Sequence, residues 1–315
     1  MKNLDGLTVL VVGATGVLGF EICKRLRARD IAVRALVRPS SRRTAEIRQL
    51  GVEVVEGDLR SAATVSAACT GAYAVISTAT AMSSKGRGAS LRAVDRDGQL
   101  SLVQNARRAG VSQFIYVSVS PNLTERGPLV RYKREVERAV RASGMQWTIL
   151  QPSSFMEIWL GSFLGWDFPR QRATIFGAGT APVSWISVSD VADYCVLALE
   201  DERMHNRDVP LGGPSPVAPN EIVALSEQLA GKKFKVKRIP APVLRWLGPV
   251  VAVMNEQQGS GMALGAEAAE GDVVESELQK ALPVKLTTVE EYVRRAMGQH
   301  DSAQQPTSVG SVTRR

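Results

Sequence analysis

The sequence predicts an α/β protein, a doubly wound parallel sheet followed by a smaller C-terminal α/β portion. Three observations predict it. Residues 7–12, Leu-Thr-Val-Leu-Val-Val, are an apolar, β-branched run of strand length. Gly13, Gly16 and Gly19 then recur at intervals of three, and a helical pattern follows over residues 20–29. From there to Ser118 short apolar runs keep alternating with helical patterns, which reads βαβαβαβαβ.

The glycine turn between strand and helix is the first site candidate. A phosphate binds a helix start through backbone N–H groups, and a side chain in the turn would block its approach. Gly13, Thr15, Gly16, Val17, Leu18 and Gly19 are therefore expected to grip a dinucleotide pyrophosphate. A tight turn with glycines kept for packing is the alternative.

Residues 31–37 read as strand two. At its end a dinucleotide fold usually carries an Asp or Glu that accepts hydrogen bonds from the ribose. Here the place holds Val37-Arg38, followed by Arg42 and Arg43. A guanidinium pairs with a 2′-phosphate where a carboxylate would repel it. The expected cofactor is NADP(H) in preference to NAD(H), with Arg38 as the reader; Arg42 and Arg43 read equally as a solvated helix start.

Residues 44–50 are a short helix and 52–55 strand three. Asp58 then meets the adenine amino group with Leu59 against the ring, or Asp58 caps the helix over 62–69. Residues 73–77 are strand four, and Thr78, Ala79 and Thr80 would pass beside the cofactor. Residues 83–90, small, polar and basic, read as a mobile loop. A long helix over 91–109 ends at Gly110, and 113–118 is strand five. A helix over 129–143 carries Lys133 and Glu137 four apart, on one face. Residues 147–150 are strand six, followed by Pro152 and Ser154 as further cofactor-binding candidates. Ligands of such sheets bind at the carboxyl ends of the strands, so all these positions should share one crevice.

Beyond it, five of the chain's 17 aromatic residues, Phe155, Trp159, Phe163, Trp166 and Phe168, fall within 14 positions. They read as core or as an apolar substrate wall. Residues 175–179 form a glycine turn and 183–188 a strand. Ser189-Asp190 should cap a helix over 191–200. A strand over 208–211 and a helix over 220–230 follow. Residues 232–239 alternate basic and apolar, as in a half-exposed strand, and Lys232, Lys233, Lys235, Lys237 and Arg238 read as a solvated face before a partner patch. Residues 243–254 should pack as a helix over the sheet, 255–271 read as a loop or lid, and 276–282 with 288–297 close the fold. Residues 1–154 are expected to form the cofactor core. Residues 155–300 are expected to form a substrate portion that partly completes it, and 301–315 a disordered tail.

Composition narrows the classes. No apolar run approaches the ~18 residues of a membrane span. The N-terminus runs straight into a strand without a secretory pattern, so the expected location is the cytoplasm. Cys23, Cys69 and Cys195 are far apart and read as buried thiols, and only His205 and His300 are present, so metal and histidine-triad chemistry are not expected. Residues 1–160 hold 23 Lys and Arg against 13 Asp and Glu, whereas the remainder hold 16 against 18. A basic first half suits a polyanionic ligand. The arginines are scattered and accompany no nucleic-acid motif, so no nucleic-acid partner is expected.

With the motifs placed, residues 7–298 resemble the atypical short-chain dehydrogenase/reductase superfamily, which has a Rossmann-like core, and within it the NmrA-like and isoflavone-reductase-like branches. The matching pieces include Val-Gly-Ala-Thr-Gly-Val-Leu-Gly (12–19), Ala-Leu-Val-Arg (35–38), Glu-Gly-Asp-Leu (56–59), Lys133 with Glu137, Trp-Thr-Ile-Leu-Gln-Pro (147–152) and Leu-Gly-Gly-Pro (211–214). The resemblance implies that the Lys133 ammonium reaches the nicotinamide ribose; with Ser118 or Ser120 as an oxyanion partner, directly or through water, it could also stabilise charge on the substrate, and an anchoring role alone is the alternative. Two departures stand out. Leu129 occupies the place of the superfamily tyrosine four residues before the lysine, and Gln151 stands where relatives often have arginine.

Two functions remain open on this reading. One is an NADP(H)-dependent oxidoreductase acting on a small apolar carbonyl, enone or quinone. The other is a non-catalytic nucleotide-binding redox sensor or assembly factor.

Overall fold

The computed structural model describes residues 4, 6–39, 41–82 and 90–301, with side chains described as far as residue 298. Ser83–Ala89 of the expected loop, and the expected tail beyond the backbone of Asp301, lie outside the described residues.

Apolar β-branched runs form the strands of one fully parallel seven-stranded sheet: β1 (Thr8–Val12), β2 (Ala32–Val37), β3 (Glu53–Glu56), β4 (Ala74–Ser77), β5 (Gln113–Val117), β6 (Gln146–Pro152) and, later in the chain, β8 (Arg207–Leu211). Their order is β3-β2-β1-β4-β5-β6-β8, with the winding direction reversing between β1 and β4. Crossover helices are α1 (Val17–Arg27), α2 (Thr44–Gln49), α3 (Ala62–Cys69), α4 (Gln99–Arg108) and α5 (Pro128–Arg141). Parallel strands need such crossovers, and helices on both faces bury the sheet twice. One core layer joins the sheet to α1 and the later helix α7 (Val188–Glu200) through Ile22, Leu26, Val191 and Cys195; the other joins it to α3, α4 and α5 through Val65, Leu102 and Val136. The fold class expected from the sequence is the one observed.

The C-terminal portion adds α6 (Met156–Trp159), β7 (Arg172–Phe176), α8 (Pro219–Ala230), β9 (Lys235–Ile239), α9 (Ala241–Met254), α10 (Glu256–Ala268), α11 (Glu277–Ala281) and α12 (Val289–Asp301). β7 and β9 pair in parallel as a second small sheet. Trp166, Phe168, Ile175, Phe234 and Val293 form its core.

Five expectations need correction. The helix expected over 91–109 opens with a π-helical stretch, Arg92–Gly98, before α4. The strand expected over 183–188 is reduced to isolated bridges at Val183 and Ile186. α7 starts earlier than expected, with Ser187 as its cap, accepting from Ser189 N. The loop or lid expected over 255–271 is mostly α10. Its glycines lower helix propensity, but packing overrides that cost: a Cβ on Gly259 would lie 2.3 Å from Ala252 Cα, so small residues let α9 and α10 meet closely. α9 itself forms as expected, but it packs on α10 and leaves most of its apolar residues in solvent.

Candidate functional site

Because every strand of the main sheet is parallel, the segments that follow β1, β2, β3, β4, β5 and β6 share one edge. The residues singled out in the sequence are brought together there. The reversal between β1 and β4 puts the glycine turn beside Thr78 and Ala79. Gly13 has φ +94°, and a Cβ there would lie 2.7 Å from Thr78 Oγ1 and 2.8 Å from Ala79 N. Only glycine satisfies both demands. A Cβ on Gly19 would lie 2.2 Å from Gly13 O, so α1 seats directly on the turn. Gly16 is the N-cap of α1 and supplies no side-chain acceptor, and no acidic residue lies in the first turn. The leading N–H groups of the helix therefore remain available, with the positive end of its dipole, to an anion. Thr15 and Leu18 are half-buried there, and Val17 is exposed.

Arg38, just past β2, is exposed, and its positive charge helps hold the Asp58 carboxyl below its usual range. The larger influence on Asp58 is Arg60, whose guanidinium donates to both carboxylate oxygens at 2.8 Å. Asp58 is half-buried and does not cap α3. α3 has Ser61 at its cap without a side-chain bond, and Asp58 is turned onto Arg60. Leu59 is buried in the core against Gly98. Arg43 stacks over the Phe20 ring at 4.9 Å and lies 3.5 Å from Glu46, which leaves Arg38 as the exposed cation directly at the strand end.

At β5 the chemistry is buried. Pro128 opens α5 at a position where its missing N–H costs nothing. Leu129, Val130, Tyr132, Lys133, Val136, Glu137 and Val140 then form its inner face. Lys133 Nζ donates to Val117 O at 2.9 Å and lies 4.9 Å from the Tyr116 ring centroid. Burial pushes the lysine below its usual range; the negative charges of Asp95 and Glu137 oppose that fall. Leu129 lies in an apolar cluster with Ala81 and Leu91, and the Tyr132 hydroxyl donates to Glu256 on α10 at 2.8 Å. Neither supplies a phenol beside the lysine.

Two carboxylates organise the rim. Glu137 Oε1 accepts from Ser118 Oγ at 2.6 Å, Arg134 Nη1 at 2.6 Å and Gln151 Nε2 at 3.2 Å, while Oε2 accepts from Arg141 at 3.2 Å. Burial alone would raise Glu137, but these donors and cations hold it below its usual range. Gln151 thus delivers an amide to a carboxylate that already has two arginines. The second carboxylate is Asp272, which accepts from Ser120 Oγ at 2.7 Å, Asn122 Nδ2 at 2.8 Å and Ser153 Oγ at 2.6 Å. Pro152 is buried at the end of β6, and Ser154 is half-buried, its carbonyl accepting from Ile186 N.

Asp95, in the π-helical stretch, was not singled out from the sequence. It is fully buried, accepts from Ala81 N at 2.8 Å and bonds the Thr80 side chain, while Oδ1 has no partner among the described residues. Burial raises its carboxyl; Lys133 is the main opposing charge. Four residues on, Gln99 bonds Ser77 Oγ and Ala79 O. Together they clamp the segment that follows β4. The signal was present: Asp95 lies on the apolar stripe with Leu91 and Leu102. Asp272 had no such signal, because the segment around it read as a loop.

The aromatic residues expected either as core or as wall divide. Trp166 and Phe168 are core, Trp159 packs edge-on against Phe176 at 5.9 Å, and Phe163 is 75% exposed. All three cysteines are buried and free, and burial pushes Cys23 up to about 12 and Cys69 up to about 11. Among the described residues no cluster of His, Cys, Asp and Glu could hold a metal, and no helix is long and apolar enough to cross a membrane.

A photosystem II assembly factor, Ycf39 of Synechocystis sp., is 28% identical over 306 residues, covering 93% of this chain and 91% of the relative. An NAD(P)H azoreductase of Xenophilus azovorans is 30% identical over 230 residues, covering 72% of this chain and 75% of the relative. The structure of the Citrobacter sp. triphenylmethane reductase complexed with NADP(H) superposes with a TM-score of 0.72 at 21% identity, covering 92% and 100% of the two chains. At that identity the superposition establishes the common fold. The model of the NmrA-like family matches residues 6–293, nearly the whole chain, and the protein belongs to the NmrA-like family.

Proposed function

We propose that the chain binds NADP(H) and passes hydride to a small apolar acceptor, an enone or quinone. The observation that carries this reading is the uncapped start of α1 on Gly13 and Gly19, on the same sheet edge as the buried Lys133. Gly13, Thr15, Gly16, Val17, Leu18 and Gly19 would hold the pyrophosphate. Arg38 would pair with the 2′-phosphate, and Thr78, Ala79, Pro152 and Ser154 would border the nicotinamide half. The reduced nicotinamide supplies the hydride when bound. Residues 1–154 would do the holding, and 155–300 would shape the acceptor site.

The proton arrangement narrows the acceptor. Reduction of an isolated ketone puts charge on one oxygen and calls for a positioned acid. Here Ser118 and Ser120 already donate to Glu137 and Asp272, and Lys133 donates to a backbone carbonyl. A conjugated acceptor spreads the charge and takes its proton from water. Lys133 then anchors ribose hydroxyls and contributes positive potential. The similarity to a relative named as an NAD(P)H azoreductase supports this reading.

The same commitments support a second reading, nucleotide binding without turnover in an assembly or regulatory role. Leu129 in place of a phenol and the similarity to a relative named as a photosystem II assembly factor favour it. One experiment separates the two. NADPH and NADH are titrated by fluorescence, then quinones, enones and carbonyls are screened for loss of reduced-nicotinamide absorbance. Turnover with a quinone or enone supports the first reading. Tight NADPH binding with no turnover across the screen leaves the second.

A further inference from the structure

We propose that the outer face of α9, with the cationic strip beside it, seats the protein on the surface of an anionic lipid bilayer. α9 is apolar on two sides. Leu244 and Gly248 face inward, whereas Val243, Trp246, Leu247, Val250, Val253 and Met254 are exposed. Trp246 is 81% exposed, Val253 89% and Met254 88%. At 3.6 residues per turn those six outer residues fall within an arc of roughly 120°. This is the spacing of a helix that buries a second face against something apolar. The single charged residue of α9, Arg245, lies off this arc and is paired with Glu270.

Cations lie on the same side of the molecule. β7 and β9 pair with Arg172 opposite Lys235, Thr174 opposite Lys237 and Phe176 opposite Ile239. Paired residues point to one face, and successive residues alternate. Ala173 and Ile175 point into the C-terminal core, so Arg172, Thr174, Phe176, Lys235 and Lys237 belong to the opposite face. The α9–α10 hairpin covers the far end of that face: a Cβ on Gly265 of α10 would touch both the Phe176 ring at 3.1 Å and Leu244 Cδ1 at 3.2 Å. The hydroxyl of Thr174 donates to Gly165 O at 3.4 Å, which brings the turn carrying exposed Phe163 to the same side. Arg172, Lys235 and Lys237 are exposed and enter no ion pair among the described residues.

An indole, a phenyl ring and aliphatic side chains beside unpaired cations, with no acid on the α9 face, match the interfacial zone of an anionic membrane. The charge complementarity selects the bilayer over a second copy of this chain, which would bring the same cations to the contact.

The test uses the full chain and vesicles of phosphatidylcholine with or without phosphatidylglycerol, read by flotation at two salt concentrations. Binding to the phosphatidylglycerol vesicles is expected, weakened by salt. Val253→Asp, at a site too exposed to disturb folding, should weaken it about tenfold, and Lys235→Gln with Lys237→Gln should remove most of the salt dependence. Brominated acyl chains should quench wild-type fluorescence more than that of Trp246→Phe. Failure to float with anionic vesicles overturns the proposal, as does binding that Val253→Asp leaves intact. A stable oligomer that Val253→Asp dissociates, without vesicle binding, would assign the face to self-association instead.

Discussion

Ser118 Oγ donates to Glu137 Oε1 at 2.6 Å, and both groups are almost wholly buried. Sequence reasoning brought Ser118 forward as a partner for substrate charge, whereas its proton faces a carboxylate that also collects Arg134, Arg141 and Gln151. Ser118 thus helps to hold Glu137 ionised. The folded pKa of Glu137 lies below its unfolded value, so its contribution is full above the ordinary glutamate range and is lost as pH falls through the folded value. Glu137→Gln should cost about 3 kcal/mol at neutral pH and flatten the acid limb of thermal stability. Melting curves from pH 7 downward check both; an unchanged acid limb would show that the group carries no such linkage.

Gly13→Ala combines a positive φ with contacts of 2.7 and 2.8 Å to Thr78 and Ala79. The variant should lose about 2 kcal/mol from backbone strain alone. NADPH affinity should fall by at least about tenfold, because the turn must move away from Thr78 and Ala79 and so shift against the N–H groups at the start of α1. Differential scanning fluorimetry and cofactor titration read the two losses separately.

Arg38→Ala should weaken NADPH by about tenfold, the loss of one charge-assisted pair, and leave NADH nearly unchanged. Equal losses for both cofactors would assign Arg38 to general electrostatics, not to the 2′-phosphate.

Asp95→Asn removes the leading negative charge that opposes the desolvation of Lys133. The lysine should then lose its proton at lower pH. Any NADPH affinity that depends on the ammonium should decline earlier as pH rises, while Lys133→Met should abolish the limb. Titrations across pH 6 to 10 test the direction.

Asp272→Ala strands the donors of Ser120, Asn122 and Ser153. The cost should be about 3 kcal/mol, larger than for Ser153→Ala alone. Chemical denaturation of the two variants compares them.

The βα alternation up to β6 was legible because each parallel strand is buried on both faces and reads as a continuous apolar run. The Gly13 turn was legible because its glycine spacing falls between a strand and a helix; Arg38 was brought forward by its place at a strand end, and Lys133 by the family resemblance. The rest depended on tertiary partners. α10 is rich in glycine and forms because small residues let it approach α9. Residues 183–188 are apolar enough for a strand but pair only at single bridges. The hydroxyls of Ser118 and Ser120 looked available until the structure supplied Glu137 and Asp272, the latter from a segment about 150 residues away. Trp166 and Phe168 read as core or as wall and are core, a choice that spacing does not encode.

Asp272 also sets an order of assembly. During synthesis the glycine turn, Arg38 and the segment after β4 all leave the ribosome within the first third of the chain, and domains fold from the N-terminus as they emerge. Ser120, Asn122 and Ser153 must wait for an acceptor made more than a hundred residues later, and β6 must wait for β8. The glycine-turn end of this sheet edge can be complete while the opposite rim is still open. A nascent chain stopped short of residue 272 would have the glycine turn without the Asp272 bonds of the opposite rim, so the closing stretch of translation decides when that edge is whole.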